Sequence, residues 1–572
     1  MSFEGTGANI LVEALVRGGV SVLFGFPGDT GVALYDALGA RQAEIRHVLA
    51  RDERSAASMA DAYARVSGRV GVVEASSGGG ATFLVGGLGE PFAASVPMLV
   101  ITSDIHRSSR GSSAITEIDQ QKLFSAVTKA QWVVERADDI AEMVRSALDL
   151  AVSGRPGPVS LIFPEDVFDE VGHADFQAVG EREWDAVLTQ LEPRPVEGIA
   201  EAAQVLANAR RPALLLGSGV HLSHTYETVQ SLAERLGAGV ATTIHGKGAF
   251  PEAHPLSLGV AGANGARDYA NRYLADADAV LMVGTRANST DTDGFQSPPR
   301  EGPHIIHVDI DPARAGRNYP GSLTLVGDAR PILVDLLQQL GPGDPDRPSS
   351  AVPWIAAERA RVAQEPALPP QAGLSPRAVV EALFAAYGHQ AVVVGDAGTP
   401  TPYLSAYWIA EGGRREVVLP RGHGAMGFAL PAAVGIAFAE PNRAVIAVTT
   451  DGSLGMACGE LDTVARLHLP LLILHLANGS LGWIKALQHL YLERRYFGVD
   501  LKPVDAVKVA EGFGVAGVRV TTMGEFRDAV ARAKAGDVPL LVDVPVPEEF
   551  DYLPPVSPWL ATLAGVAGRP VY

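Results

Sequence analysis

The sequence predicts an α/β protein of three doubly wound parallel-sheet domains, two of related build flanking a middle one. Three observations predict it. Helical and strand-like segments alternate almost throughout, short apolar strands end in glycine-rich turns, and the first and third blocks share size and order of elements. A chain of 572 residues exceeds what one core supports, so each block has to bury its own apolar interior. The expected boundaries are 1–175, 192–342 and 375–555, followed by a tail at 556–572.

In the first block, Ala8 to Val16 reads as an amphipathic helix stopped by Gly18-Gly19, and Val20 to Phe26 as a strand entering Pro27-Gly28. A strand from Val70 to Ala75 ends in Ser76-Ser77-Gly78-Gly79-Gly80, another from Met98 to Thr102 ends near Ser103-Asp104, and Val159 to Phe163 closes the block. Pro193 and Pro195 mark a linker over Gln190 to Val196. The second block carries strands Ala213 to Leu216, Val280 to Val283 and Ile305 to Ile310; the first runs into Gly217-Ser218-Gly219, an incomplete glycine fingerprint, and the unit reads as Rossmann-like. The Pro/Gly-rich stretch Gly341 to Pro348 is a second linker, leading to a bridging region up to Pro376. The third block opens with a helix after Ser375-Pro376 and has strands at Ala391 to Val394, Ala444 to Thr449, Leu471 to Leu476 and Leu540 to Val544. In open parallel sheets, ligands collect beyond the carboxyl ends of the strands, where these turns lie.

Composition narrows the partners. With 65 acidic against 46 basic residues the formal charge is −19, and no Lys/Arg block tracks a phosphate backbone, so nucleic acid is not expected. Apolar runs such as Leu471 to Leu474 are too short to cross a bilayer. The N-terminal stretch has no basic leader before an apolar run, and the single Cys458 allows no internal disulfide; the expectation is a cytoplasmic protein.

The strongest local signal is Thr450-Asp451-Gly452-Ser453. It follows an apolar strand, precedes a helix at Gly459 to Leu467, and is answered 27 positions after Asp451 by Asn478 at the end of the next strand. A carboxylate and an amide oxygen, helped by a main-chain carbonyl, suit Mg²⁺, which prefers hard oxygen ligands and completes its octahedron with water and phosphates. Gly452 and Ser453 open a helix whose N–H groups face an anion. A diphosphate bridged by Mg²⁺ is the expected guest. Taken singly, Asp-Gly and Asn-Gly are common turn pairs; the strand and helix between them make the pairing informative.

Asp451-Gly452-Ser453 with Asn478 resembles the thiamine diphosphate motif of the acetolactate synthase-like enzymes, and Leu419-Pro-Arg-Gly-His-Gly-Ala-Met-Gly-Phe-Ala-Leu-Pro-Ala-Ala433 is similar to the segment that cradles the cofactor in that family. By that resemblance Asp451, Asn478 and the main-chain oxygen of Ser480 hold the metal, and Met426 lies under the cofactor. The same resemblance assigns cofactor contacts to Pro27, Gly28, Gly78, Gly398, Thr399, Gly424, Gly452, Ser453, Leu481 and Gly482.

Glu53, after a strand ending at Leu49 and before the small-residue helix Ala56 to Ala64, matches the family's activating glutamate. Its protonated form would bond the aminopyrimidine ring and promote proton removal from the thiazolium C2, a positioned transfer typically worth about 10² to 10⁴ in rate. Burial should raise its pKa. The turns Phe24-Gly-Phe-Pro-Gly28 and Ser77 to Thr82 also resemble family turns in the right order. Glu53 and Asp451 lie in different blocks, and in this family the cofactor bridges subunits, which implies a homodimer at minimum, often paired into a homotetramer.

Several positions depart from the pattern. Thr450 replaces the usual Gly, Ala477 the first Asn of a pair, and Asp52 a common His. Thr399-Pro400 stands where synthases often place Gln-His, Thr116 where a Gln often precedes the acidic residue, and Leu481 to Leu487 alter side chains of the substrate channel. Gly284 to Asp293 keeps Arg286 but loses the charged residues that follow it in flavin-binding relatives, which leaves FAD in the middle domain open. His423 is a candidate proton carrier; His106, His245 and His489 carry no specific signal, and Cys458 reads as a small core residue. The resemblance implies a carboligase joining pyruvate or a related 2-oxo acid to a second carbonyl compound. Its alternatives are a decarboxylase of a 2-oxo acid or an oxalyl-CoA-like thioester, and a non-catalytic scaffold relative.

Overall fold

In the computed structural model, the structure describes residues 2–176, 196–342, 349–364 and 373–565. The linker expected at Gln190 to Val196 lies, except for Val196, outside the described residues, and so does the linker Gly341 to Pro348 beyond Pro342.

Three six-stranded sheets, parallel throughout, form the core of the chain. Numbered within its own sheet, the first runs Val22–Phe26, Arg46–Leu49, Gly71–Ala75, Met98–Asp104, Gln131–Val133 and Pro158–Pro164, in spatial order 2-1-3-4-6-5. The third runs Ala391–Gly395, Val417–Val418, Ala444–Thr450, Leu472–Ala477, Ala516–Arg519 and Leu540–Pro545, and repeats that order. The related build expected from size alone is thus a shared topology. The middle sheet, Pro212–Leu216, Gly239–Thr242, Ser257–Val260, Ala279–Val283, His304–Asp309 and Leu323–Val326, has the order 3-2-1-4-5-6, the Rossmann arrangement. Strands buried on both faces read as unbroken apolar runs, and Val72, Val100, Leu214, Leu281, Ile446 and Ile473 are all fully buried.

The strands found in the sequence reappear with ends shifted by one or two residues. A short antiparallel pair outside the parallel pattern, Ser2–Thr6 with Val171–Asp175, ties the chain start to the end of the first domain. The helix after the Asp451 turn begins at Asp451 itself, spanning Asp451–Ala457, and a second follows at Glu460–Arg466. The C-terminal segment forms a helix at Ser557–Leu563 whose Trp559 is fully buried against Trp483.

The first and third domains share one apolar core, formed where helix Glu53–Ser67 crosses helix Ala429–Ala439. The crossing is close because Gly435 has no side chain: a Cβ there would lie 2.0 Å from the Met59 carbonyl oxygen. Helix Glu53–Ser67 is capped by Asp52, whose carboxylate accepts the Arg54 N–H at 2.8 Å, and stopped by Gly68 at φ +71°. Among the described residues, no helix is long and apolar enough to cross a membrane.

Candidate active site

The sheet register assembles two half-sites. In the first domain Phe26 pairs with Ala75, which sets Pro27-Gly28 beside the Ser76 to Gly80 turn. Gly28 is required there, since a Cβ would lie 2.3 Å from the Ser76 side chain. Gly78 sits at φ +60°, and a Cβ would lie 2.6 Å from that of Thr116. Thr30, Ser77 and Thr116 join in a chain of hydroxyl bonds of 2.8 and 3.1 Å. Thr116 is therefore packed onto the same turn as Gly78.

Glu53 stands at the start of its helix, 8% exposed, with Oε1 3.2 Å from where a Cβ on Gly80 would be. Burial pushes its pKa up, reinforced by the nearby carboxylates of Asp52 and Glu74. Glu74 is itself buried, hydrogen-bonded by the Tyr35 hydroxyl and 3.4 Å from His47 Nε2.

In the third domain Thr450 pairs with Leu476, so Asp451 and Asn478 emerge side by side. Asp451 Oδ2 accepts the main-chain N–H groups of Asn478 at 2.9 Å and Gly479 at 3.2 Å, leaving Oδ1 for a ligand. Asn478 Oδ1 accepts the Ser480 N–H at 3.1 Å. Gly452 makes room for the neighbours of the turn: a Cβ would meet Met426 Cε at 2.7 Å and Leu481 Cδ2 at 2.8 Å. Gly398 and Gly424 adopt φ +98° and +81° and face open space. Ser453 is buried on the helix that Asp451 opens.

Four residues of this half-site carried no sequence signal. Glu549, 2% exposed, is hydrogen-bonded by the Thr399 hydroxyl and by Asn478 Nδ2 at 3.3 Å, and fills the space a Cβ on Gly482 would need. Burial raises its pKa to about 7, with the carboxylates of Glu548 and Asp451 adding to the rise. Glu90, from the first domain, accepts three successive N–H groups of the glycine-rich segment, from Gly422 at 2.9 Å, His423 at 2.6 Å and Gly424 at 3.2 Å, and is itself paired with Arg65 at 3.0 Å. Asp396, fully buried, accepts the N–H groups of Phe428 and Ala429 at 2.7 and 3.2 Å, and burial pushes its pKa to about 6. His475 Nδ1 is bonded to Asp543 at 2.9 Å, with its Nε2 3.8 Å from Asp451 Oδ1.

The donor set fits a hard divalent cation. Asp451, Glu548 and Glu549 converge, and the cation beside them, Lys485, is shared by Glu548 at 2.5 Å and Asp500 at 2.7 Å. The glycine turns fit a phosphate-bearing group over the N-terminus of Asp451–Ala457.

Among the other histidines, His423 is exposed with its ring against Gly89, His245 is half-buried, His106 Nδ1 receives the Ser108 N–H at 3.1 Å, and His489 stacks on Phe550 at 4.2 Å. Cys458 is half-buried beside the shared core.

Glu53 begins its helix, whereas Arg65, twelve residues on, is the end that meets Leu419 and Glu90, an axial separation of about 18 Å.

Glycine-rich turns and buried carboxylates at the carboxyl edges of twinned parallel sheets define a cofactor-dependent α/β enzyme. Three family descriptions match: thiamine pyrophosphate enzyme, N-terminal TPP binding domain, over residues 5–123; the central domain over 199–340; and the C-terminal TPP binding domain over 396–544. A probable acetolactate synthase large subunit of Methanocaldococcus jannaschii is 32% identical over 96% of this chain and 93% of its own. An acetolactate synthase of Mycobacterium bovis is 34% identical over 96% and 90%. Among solved structures, a thiamine diphosphate-dependent 4-hydroxybenzoylformate decarboxylase of Rhodococcus jostii superposes with a TM-score of 0.80 at 25% identity, covering 95% of this chain and 99% of that one. The chain belongs to the thiamine pyrophosphate enzyme family and is an enzyme that depends on that cofactor.

Proposed function

We propose that the chain is an acetolactate synthase-like carboligase that takes pyruvate or a related 2-oxo acid as donor, removes CO₂ and adds the remaining carbon unit to a second carbonyl compound. The observation that carries this reading is full-length similarity to acetolactate synthases combined with a buried, proton-retaining Glu53 and a converged Asp451/Asn478 pair. Bound thiamine diphosphate supplies the electron sink for cleaving the bond next to the carbonyl. Glu53 holds a proton for the pyrimidine ring. Asp451 Oδ1, Asn478 Oδ1 and the main-chain oxygen of Ser480 hold Mg²⁺, and the N–H groups at Gly452 and Ser453 receive the diphosphate. Met426, 38% exposed beside Gly452, supports the cofactor between its two rings. Pro27, Gly28 and Gly78 take the pyrimidine side, and Gly398, Thr399, Gly424, Leu481 and Gly482 the thiazolium side.

The same reading includes a homodimer in which each cofactor lies between Glu53 of one copy and Asp451 of the other. Pairing into a tetramer and a cytoplasmic location are parts of the same reading. For FAD, the supporting feature is a cavity of about 280 Å³ at the carboxyl edge of the middle sheet, lined by Gly217 to Gly219, Arg155, Arg286, Arg314 and Asp309. Arginines and a glycine turn suit a phosphate-bearing nucleotide. A bound flavin would be read from the visible spectrum of the purified protein.

Simple decarboxylation is the second reading, favoured by Thr399-Pro400 beside Glu549 and by the decarboxylase whose structure this chain resembles. Incubation with thiamine diphosphate, Mg²⁺ and a panel of 2-oxo acids, with products read by mass, separates the two. A 2-hydroxy-3-oxo acid supports ligation, and an aldehyde with CO₂ supports decarboxylation. Turnover that persists in Asp451→Ala with undiminished Mg²⁺ dependence would sink the metal assignment.

A further inference from the structure

A second cavity, of about 150 Å³, lies where all three domains meet. It is walled by the last turn of helix Glu53–Ser67, the Ala94 to Pro97 segment, the His221 to Tyr226 turn of the middle domain and Gly413 to Arg415 of the third. It has room for about five waters. In a chain of net charge −19, its lining includes Arg65, Arg414, Arg415, His221 and His224 and no acidic residue.

Two of the arginines are neutralised from behind. Arg65 pairs with Asp61 at 2.7 Å and Glu90 at 3.0 Å, and Arg414 with Glu411 at 3.0 Å. Arg415 is different. Its Nη1 donates to the His245 carbonyl at 2.9 Å and its buried Nε has no partner. Among the described residues no carboxylate is ion-paired with its guanidinium; the nearest acidic influence is Asp61, whose carboxylate is already paired with Arg65. His221 is no counter-ion, since an imidazole is neutral or cationic and burial keeps this one neutral, with its ring nitrogens engaged by the Tyr226 hydroxyl and the Lys247 carbonyl, both at 3.1 Å. A guanidinium stays charged in proteins, and a half-buried charge without an adjacent counter-ion is costly. Val66, Val96, Val152 and Leu222 supply an apolar wall for a short carbon stem.

We propose that this three-domain cavity binds a small oxyanion, a phosphate or carboxylate group on a short stem, through the Arg415 guanidinium with His224 and Tyr226 at its rim. Such a ligand would pair the half-buried cation and tie the domains together beside Arg65, which through Glu90 holds Gly422 to Gly424. It is separate from the diphosphate turn, and it shares the wall of Ala94, Ser95, Val152, Pro156 and Leu222 with the middle-domain cavity without reaching that cavity's Arg314.

The test uses the full chain saturated with thiamine diphosphate and Mg²⁺, so that the diphosphate site is filled. Inorganic phosphate and, in a second arm, propionate are titrated by calorimetry at low ionic strength. The expected result is saturable binding of one probe per chain, the responding arm identifying phosphate or carboxylate as the recognised group. Arg415→Met raises the dissociation constant by about tenfold or more, His224→Asn raises it less, and Arg314→Met, in the middle-domain cavity alone, leaves it unchanged. His224 is exposed, so its variant decides the matter if Arg415→Met does not fold. Absence of saturable binding of both probes, binding undiminished in the Arg415 and His224 variants, or loss in Arg314→Met instead would overturn the proposal.

Discussion

Replacing Glu549 by Gln removes a carboxyl that burial holds at about 7, against an ordinary value of 4.5. The folded apoprotein keeps this proton more tightly than the unfolded chain, which loses it first as pH rises. The contribution of Glu549 to stability is therefore complete below about pH 4.5, declines as pH climbs, and is gone above about pH 7. At 1.36 kcal/mol per pK unit, the interval corresponds to about 3 kcal/mol. If the third domain unfolds as a unit, that is about 6 to 12 °C in its midpoint. The assay is thermal unfolding of cofactor-free wild type and Glu549→Gln across pH 5 to 8, read as the difference between the two so that every other titrating group cancels. The wild type should lose stability relative to the variant as pH rises. A difference that stays constant over the range would refute the reasoning. Adding Mg²⁺ and thiamine diphosphate should flatten the wild-type dependence and release a proton, because a cation beside Asp451 and Asn478 favours the ionised carboxyl.

Three further outcomes are expected. Glu53→Gln should slow hydrogen–deuterium exchange at the cofactor C2 by about 10² to 10⁴ with circular dichroism unchanged; normal fast exchange would contradict its role. Glu90→Ala leaves the N–H groups of Gly422, His423 and Gly424 without their acceptor and should raise the thiamine diphosphate dissociation constant by about tenfold or more, with Glu90→Asp recovering part of the loss. A drop in thermal midpoint with unaltered cofactor affinity would show that Glu90 is structural alone. Gly435→Ala presses a methyl onto the Met59 carbonyl and should cost about 1–3 kcal/mol, measured as a lower unfolding midpoint; an unchanged midpoint would mean the helix crossing relaxes freely.

Legibility in the sequence followed the range of the interactions. Parallel strands buried on both faces, such as Ala444–Thr450 and Leu472–Ala477, announce themselves as apolar runs, and their common register is what brings Asp451 and Asn478 together. Glycines forced into left-handed or crowded conformations, Gly78 and Gly398 among them, mark turns that a reader of the chain can find. Glu549 and Glu90 could not be found that way. Each is a single carboxylate, 71 and 332 residues from the groups it holds, Asn478 and Gly422, with neighbours in sequence that carry no periodic or turn signal. The same holds for Arg415, whose meaning lies in the absence of acids from three separate segments. Strand pairing at the margins, Ser2–Thr6 with Val171–Asp175, was hidden because a short exposed strand has too few inward positions to show alternation.

The helix Glu53–Ser67 carries the buried Glu53 carboxyl at one end and, at the other, the arginine that fixes the glycine segment through Glu90. Its length thereby sets the distance between the buried carboxyl and the Arg65–Glu90 pair. Inserting one residue between them would advance one end by about 1.5 Å and turn it by about 100°, disturbing both at once. The segment behaves as a gauge block: its sequence can drift, while its count of residues is held from both ends.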